Sequence, residues 1–116
     1  MKIGFANDKN IKDLFELWRI SFGDSDSEIG LFMDSCFRKE NALVCYDGDK
    51  LVSMLFLLSE EIVFKGKCYP AYYIYAAATD PDYRKQGVMG KMLSFADEVA
   101  RERKFPFLFL VPADEH

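Results

Sequence analysis

One passage limits the fold more than any other: Thr79-Asp80-Pro81-Asp82-Tyr83-Arg84-Lys85-Gln86-Gly87-Val88-Met89-Gly90-Lys91-Met92-Leu93. Thr79 closes an apolar run, Ala71–Thr79, that reads as a strand. Asp80-Pro81-Asp82 ends it, because proline fixes φ and offers no N–H to a ladder. A helix then runs from about Gly87 to Arg103, with Val88, Met92, Phe95, Ala96 and Val99 on one face. Phe107–Val111 reads as the next strand, stopped by Pro112. Strand, turn, helix and strand in that order make a right-handed crossover between parallel strands. The chain is thereby committed to a sheet with helices packed on it.

The turn also carries chemistry. A helix N-terminus presents backbone N–H groups without intrahelical partners and the positive end of the helix dipole, a combination suited to a phosphate. Gly87 and Gly90 leave the backbone open to close approach by a ligand, and Arg84, Lys85 and Lys91 add positive charge. The passage is neither a GxxxxGK[ST] loop nor a GxGxxG fingerprint.

The rest of the chain supplies the other layers. Ile3–Ala6 reads as a short strand, and Asn7-Asp8-Lys9-Asn10 offers caps for a helix over Ile11–Phe22. A second helix is expected over Ser27–Phe37, with Ile29, Phe32, Met33 and Phe37 inward. The period then changes to that of strands at Ala42–Tyr46 and Leu51–Leu58. Asp47-Gly48-Asp49-Lys50 lies between them as a hairpin signal. Glu60–Phe64 extends the second of these, before a turn at Lys65-Gly66-Lys67. The predicted order is β-α-α-β-β-β-α-β: an α/β (α+β) domain with a mixed central sheet flanked by helices. No internal repeat or linker interrupts it.

Composition narrows the function. Half of the 116 residues are hydrophobic, which is ample for one core. A net charge of −4 disfavours a broad nucleic-acid surface, which draws on clustered Lys and Arg. No apolar run reaches membrane-spanning length, and Met1-Lys2-Ile3-Gly4 lacks the apolar core of a signal peptide. Cys36, Cys45 and Cys68 have no CxxC spacing and read as reduced, mostly buried thiols. A cytoplasmic location is the expectation. With His116 the sole histidine, no transition-metal site is expected.

Arg84-Lys85-Gln86-Gly87-Val88-Met89 resembles the acetyl-CoA motif of GNAT acetyltransferases, Arg/Gln-x-x-Gly-x-Gly/Ala, at Arg84 and Gly87. It departs at Met89, as do branches resembling the Eis-type aminoglycoside acetyltransferases. Asp80-Pro81-Asp82-Tyr83-Arg84 is similar to the family's "HPDYRGRG" run. The resemblance covers nearly the whole chain. It implies that Ala77, Ala78 and Thr79 hydrogen-bond the pantetheine arm of acetyl-CoA. It implies further that the passage Arg84, Lys85, Gln86, Gly87, Val88, Met89 and Gly90 holds the pyrophosphate. Small residues at Ala76–Ala78 suit entry of the thioester between two splayed strands. In the family, a helix after the Phe107–Val111 strand often carries a tyrosine that protonates the CoA thiolate. The sequence stops before it, so the resemblance describes one acetyl-CoA-binding domain over residues 1–116, incomplete at its C-terminus. The family's glutamate base falls at Tyr72-Tyr73 and has no counterpart. An unpaired last strand would favour pairing with a second copy.

Side chains for the acceptor step are fewer. Tyr73 and Tyr75 are candidates, weighed against simple packing in a strand. Glu60, with Glu61, could take a proton from an amine, weighed against a solvated strand end. Phe15, Trp18 and Phe22 could line an acceptor groove, with core packing as the plainer role. Arg101, Arg103 and Lys104 suit the negative end of the helix. His116, beside Asp114 and Glu115, is terminal. The reading is an N-acetyltransferase moving acetyl from acetyl-CoA to an amine by direct attack in a ternary complex. The alternatives are a CoA-binding module without turnover and a structural α/β domain.

Overall fold

The computed structural model describes residues 1–110. Its strands are β1 (Lys2–Phe5), β2 (Ala42–Asp47), β3 (Lys50–Phe64), β4 (Lys67–Thr79) and β5 (Phe107–Leu110). They form one sheet in the order β1-β2-β3-β4-β5. The first three pairings are antiparallel, and β4 and β5 run parallel, joined by the crossover helix. The sheet is therefore mixed, as the sequence predicts. Helices α1 (Ile11–Phe22) and α2 (Asp26–Ser35) lie on one face, and α3 (Val88–Glu102) on the other. No helix among the described residues is long and apolar enough to cross a membrane.

Each helix is bounded by its own sequence. Gly23 closes α1 in the left-handed region, at φ 69°, and its N–H bonds Arg19 O. Ser25 and Glu28 form a reciprocal capping box at the start of α2. Buried Val88, Met92, Ala96, Val99 and Ala100 follow helical spacing on α3. They pack on Leu43, Cys45, Leu55, Leu57, Tyr72 and Ile74 of the sheet. On the other face Leu14, Leu17, Trp18 and Ile29 bury Ala42, Val44, Met54 and Phe56. Burying a side chain of this size contributes roughly 1.5–3 kcal/mol, so both layers are strongly held.

The central hairpin is longer than its residues suggest. β3 runs unbroken to Phe64, and β4 begins at Lys67 rather than Ala71. Gly66, at φ 78°, closes the turn tightly enough for Phe64 to pair with Lys67. Pro70 is accommodated because β5 joins β4 only from Ala71, so no ladder on that side needs its N–H. The second helix ends at Ser35, two residues before Phe37. Only Cys45 is a buried thiol. Cys36 and Cys68 are exposed, contrary to the expectation of mostly buried cysteines. The stretch Val111–His116, with the predicted end of β5 and His116, lies outside the described residues.

Two register shifts interrupt the ladders on either side of β3. Cys45 faces Ser53 while Tyr46 faces Leu51, so β3 carries one extra residue near Val52. Met54 faces Ala78 while Phe56 faces Tyr75, so Ala76 and Ala77 together oppose Leu55. The second is a bulge in β4.

Candidate functional site

The β4 bulge is built on an alanine in an unusual conformation: Ala76 has φ 52°. A left-handed alanine costs roughly 1–2 kcal/mol, a strain that the flanking ladders sustain. The extra residue also reverses the side-chain alternation. Tyr72 and Ile74 point to α3 before the bulge, and Ala77 does so after it. Tyr75 and Ala76 consequently both face the α1–α2 side. Among the described residues β4 pairs with β5 from Ala71↔Phe107 to Ile74↔Leu110. Ser53, the one polar residue within Leu51–Leu58, is fully buried at the end of β4. Its hydroxyl donates to Ala78 O at 2.9 Å and lies 3.1 Å from Thr79 Oγ1.

Thr79 leads into a tight turn. Asp80 N donates to Val52 O (2.8 Å), and Asp80 Oδ1 accepts from Asp82 N (2.9 Å). Arg84 Nε donates to Thr79 O (3.1 Å), which anchors the guanidinium at the turn while its outer nitrogens face solvent. Lys85 and Gly87 both adopt positive φ, 64° and 79°. Gly87 is the N-cap of α3, with no side-chain cap and no acidic residue in the first turn. The N–H groups of Val88, Met89 and Gly90 thus open α3 without intrahelical partners. An added Cβ at Gly87 or Gly90 would meet nothing within 4 Å. Gly87, Gly90, Lys91 and Ser94, together with Ile3, Phe95 and Glu98, line a groove of about 490 Å³. The passage from Arg84 to Gly90 therefore comes together as one basic, open helix start, with Ala77, Ala78 and Thr79 leading into it.

On the α1–α2 face, Tyr75 packs against Phe32 (5.2 Å between ring centroids) and Trp18 (6.0 Å). Tyr75 and Phe22 are each 38% exposed, whereas Trp18 is 3% exposed. The Trp18 indole N–H donates to Asp24 Oδ2 at 2.9 Å. Tyr73 stacks on Phe109 at 5.2 Å. Glu60 pairs with Ala71 and Phe56 with Tyr75. Glu60 thus stands about 13 Å along the strand from Tyr75, at roughly 3.3 Å per residue. Tyr75 alone of the three candidates adjoins the bulge.

The hairpin tip contributes residues that sequence reading passed over. Tyr83 Oη donates to Asp47 Oδ2 at 2.8 Å, and Lys50 Nζ lies 3.6 Å from Asp80 Oδ2. The hydrogen bond to Asp47 holds the Tyr83 phenol above its ordinary range. Nearby, burial first and then the Asp13 carboxylate push Tyr46 up to about 12. The signal that could have found these contacts was the Asp-Gly-Asp-Lys tip itself, once its position beside the turn was known. Arg103 serves the fold rather than the helix end. It reaches Asn41 Oδ1 (2.7 Å), Tyr72 Oη (3.0 Å) and Glu40 O (2.6 Å).

The five-stranded mixed sheet with its three helices has the fold of known acetyltransferase structures. The family model for the acetyltransferase (GNAT) domain matches residues 2–116. The chain belongs to the GNAT acetyltransferase family. A GCN5-related N-acetyltransferase from Anabaena variabilis superimposes with a TM-score of 0.88 at 23% identity, over 97% of this chain and 29% of that one. The aminoglycoside 6'-N-acetyltransferase AAC(6')-IG from Acinetobacter haemolyticus gives 0.81 at 20% identity, over 100% of this chain and 82% of that one. AAC(6')-Iy, in complex with the bisubstrate analog CoA-S-monomethyl-acetylneamine, gives 0.81 at 10% identity, over 99% and 81%. The chain thus spans less than a third of the Anabaena protein and most of each aminoglycoside enzyme. A search of curated proteins finds no match.

Proposed function

We propose that this chain binds acetyl-CoA along β4 and the start of α3 and transfers the acetyl group to an amine. The observation that carries this reading is the joint placement of two features by one strand–turn–helix unit. These are the Ala76 bulge and the uncapped α3 N-terminus with Gly87 at φ 79°. Two successive anionic phosphates need several converging donors. The amides from Lys85 to Gly90 supply them, with Arg84 and Lys85 as counter-charges. The backbone of Ala77, Ala78 and Thr79 would take the amide groups of the pantetheine arm. The thioester carbonyl would then lie by the bulge, where backbone N–H groups turned out of the ladder can polarise it.

The acceptor comes from the α1–α2 side, because α3 covers the other face of the sheet at this level. Its neutral amine attacks the thioester carbon. A C–N bond forms, the C–S bond breaks, the amine loses a proton and the CoA thiolate gains one. Holding both reactants together supplies much of the rate. Tyr75, with Trp18 and Phe32 behind it, forms the wall that an acceptor meets beside the bulge. Tyr73 and Glu60 are more remote, so any proton transfer through Glu60 would run over water. The Met89 departure supports a place near the Eis-type branch.

The test is calorimetric titration of the chain with acetyl-CoA, followed by a thiol-release assay with a panel of amines. The expected result is saturable binding near one per chain and amine-dependent release of CoA. Binding without release would favour a CoA-binding module. A folded chain that ignores acetyl-CoA would sink the proposed site.

A further inference from the structure

The turn from Asp80 to Gln86 is held mostly by itself. Asp80 accepts from Asp82 N and Tyr83 N, Arg84 Nε bonds Thr79 O, and Gln86 Nε2 bonds Asp82 O at 3.2 Å. Such local bonds shape a turn but do not fix where it sits over the sheet. One backbone bond, Asp80 N to Val52 O, ties its first residue to β3. The Tyr83 ring packs against the core on the α3 side, and the polar side-chain ties from the turn to the rest of the described chain converge on the β2–β3 hairpin tip. Tyr83 Oη reaches Asp47, Asp80 pairs with Lys50, and the Lys50 ammonium lies 5.5 Å from the centroid of the Tyr83 ring.

The tip is built to present this pair. Asp47 and Lys50 are register partners across a two-residue turn, Gly48-Asp49, with positive φ at Gly48 alone. That is the pattern of a type II′ hairpin, whose twist matches its strands. Register partners project on the same side of a ladder, so carboxylate and ammonium are delivered together to the turn. The tip needs no such pair for its own closure, since glycine supplies that.

We propose that Asp47 and Lys50 are positioning residues for the phosphate-binding turn, acting through Tyr83 and Asp80. They touch no part of acetyl-CoA. They fix the height and tilt of the Arg84–Gly90 backbone, so that its amides are already aimed when the pyrophosphate arrives. Preorganisation of this kind appears as affinity for the part of the ligand that the loop holds. The inference rests on the acetyl-CoA reading of the same turn.

The experiment compares wild type with Tyr83→Phe, Asp47→Ala and the double variant. Each is titrated with acetyl-CoA and with S-acetylpantetheine, which has the thioester arm but no pyrophosphate. Melting temperature is measured alongside. Each single change should weaken acetyl-CoA binding by roughly three- to tenfold, the range for one hydrogen bond. The double variant should be no worse than either single one, since both remove the same bond. S-acetylpantetheine affinity should barely move, and the melting temperature should fall by no more than about 4 °C, the effect of one hydrogen bond. If acetyl-CoA affinity is unchanged in both single variants, or if both ligands weaken equally, the positioning role is overturned while the acetyl-CoA site stands. A wild-type chain that binds S-acetylpantetheine but gains nothing from the pyrophosphate overturns both together.

Discussion

Gly87 and Gly90 make opposite demands on the fold and the same demand on the ligand, so alanine at each separates the two. Gly87 holds φ 79°, and a Cβ there meets no atom within 4 Å. The cost of Gly87→Ala is therefore backbone strain alone, roughly 1–2 kcal/mol. Reduced freedom of the unfolded chain returns about 0.4–1 kcal/mol. The net loss is about 1 kcal/mol, which lowers the melting temperature by about 4 °C in a domain of this size. Gly90 sits inside α3 with no positive φ and open space around it. Gly90→Ala should therefore stabilise the helix by roughly 0.5–1 kcal/mol. If the first-turn amides hold a pyrophosphate, a methyl group at either position stands where the phosphate approaches. Both variants should then lose about tenfold or more in acetyl-CoA affinity, the equivalent of one charge-assisted hydrogen bond. Thermal melts and calorimetry on the same samples read both quantities. A Gly90→Ala chain that melts higher and binds as well as wild type would refute the phosphate placement. A Gly87→Ala chain that melts no lower would refute the left-handed cap.

Tyr46 predicts an alkaline limit. Its folded pKa, about 12, lies above its ordinary value, so its contribution is complete below pH 10 and is lost as pH rises through 12. Urea titrations should show roughly 1–2 kcal/mol of stability lost across that window, less than the full shift because the phenol is partly solvated, and Tyr46→Phe should lack this part of the loss. Arg103→Met should destabilise the fold by about 2–3 kcal/mol, because three charge-assisted bonds to Asn41, Tyr72 and Glu40 disappear together. Equilibrium unfolding checks it, and a loss under about 0.5 kcal/mol, the level of an ordinary surface change, would refute it. Ala76→Gly should keep or raise stability by up to about 1 kcal/mol, whereas Ala76→Val should lower it by more than about 2 kcal/mol, since a β-branched residue resists φ 52°. Equal melting temperatures for the two would mean that the bulge is absent in solution.

Periodicity alone settled much of this protein. The i, i+4 run of Val88, Met92 and Ala96 needs an apolar partner on one side only, and that partner can only be a sheet made from the chain's own strands. The basic turn and Gly87 are likewise local, because a helix start exposes its amides wherever it occurs. The Asn7–Asn10 caps marked the start of the first helix at Ile11 for the same reason. The bulge was not legible. Ala76-Ala77-Ala78 contains no glycine to announce a positive φ, and its conformation is imposed by the ladder to Met54 and Phe56. That shift decides that Tyr75, rather than Tyr73 or Glu60, adjoins the bulge in β4. Nor could spacing reveal Asp47 beside Tyr83, 36 residues apart in the chain. Contacts at that separation depend on how the hairpin twists over the sheet. Only the closed tertiary structure, in which each strand takes its register from its neighbours, fixes that geometry.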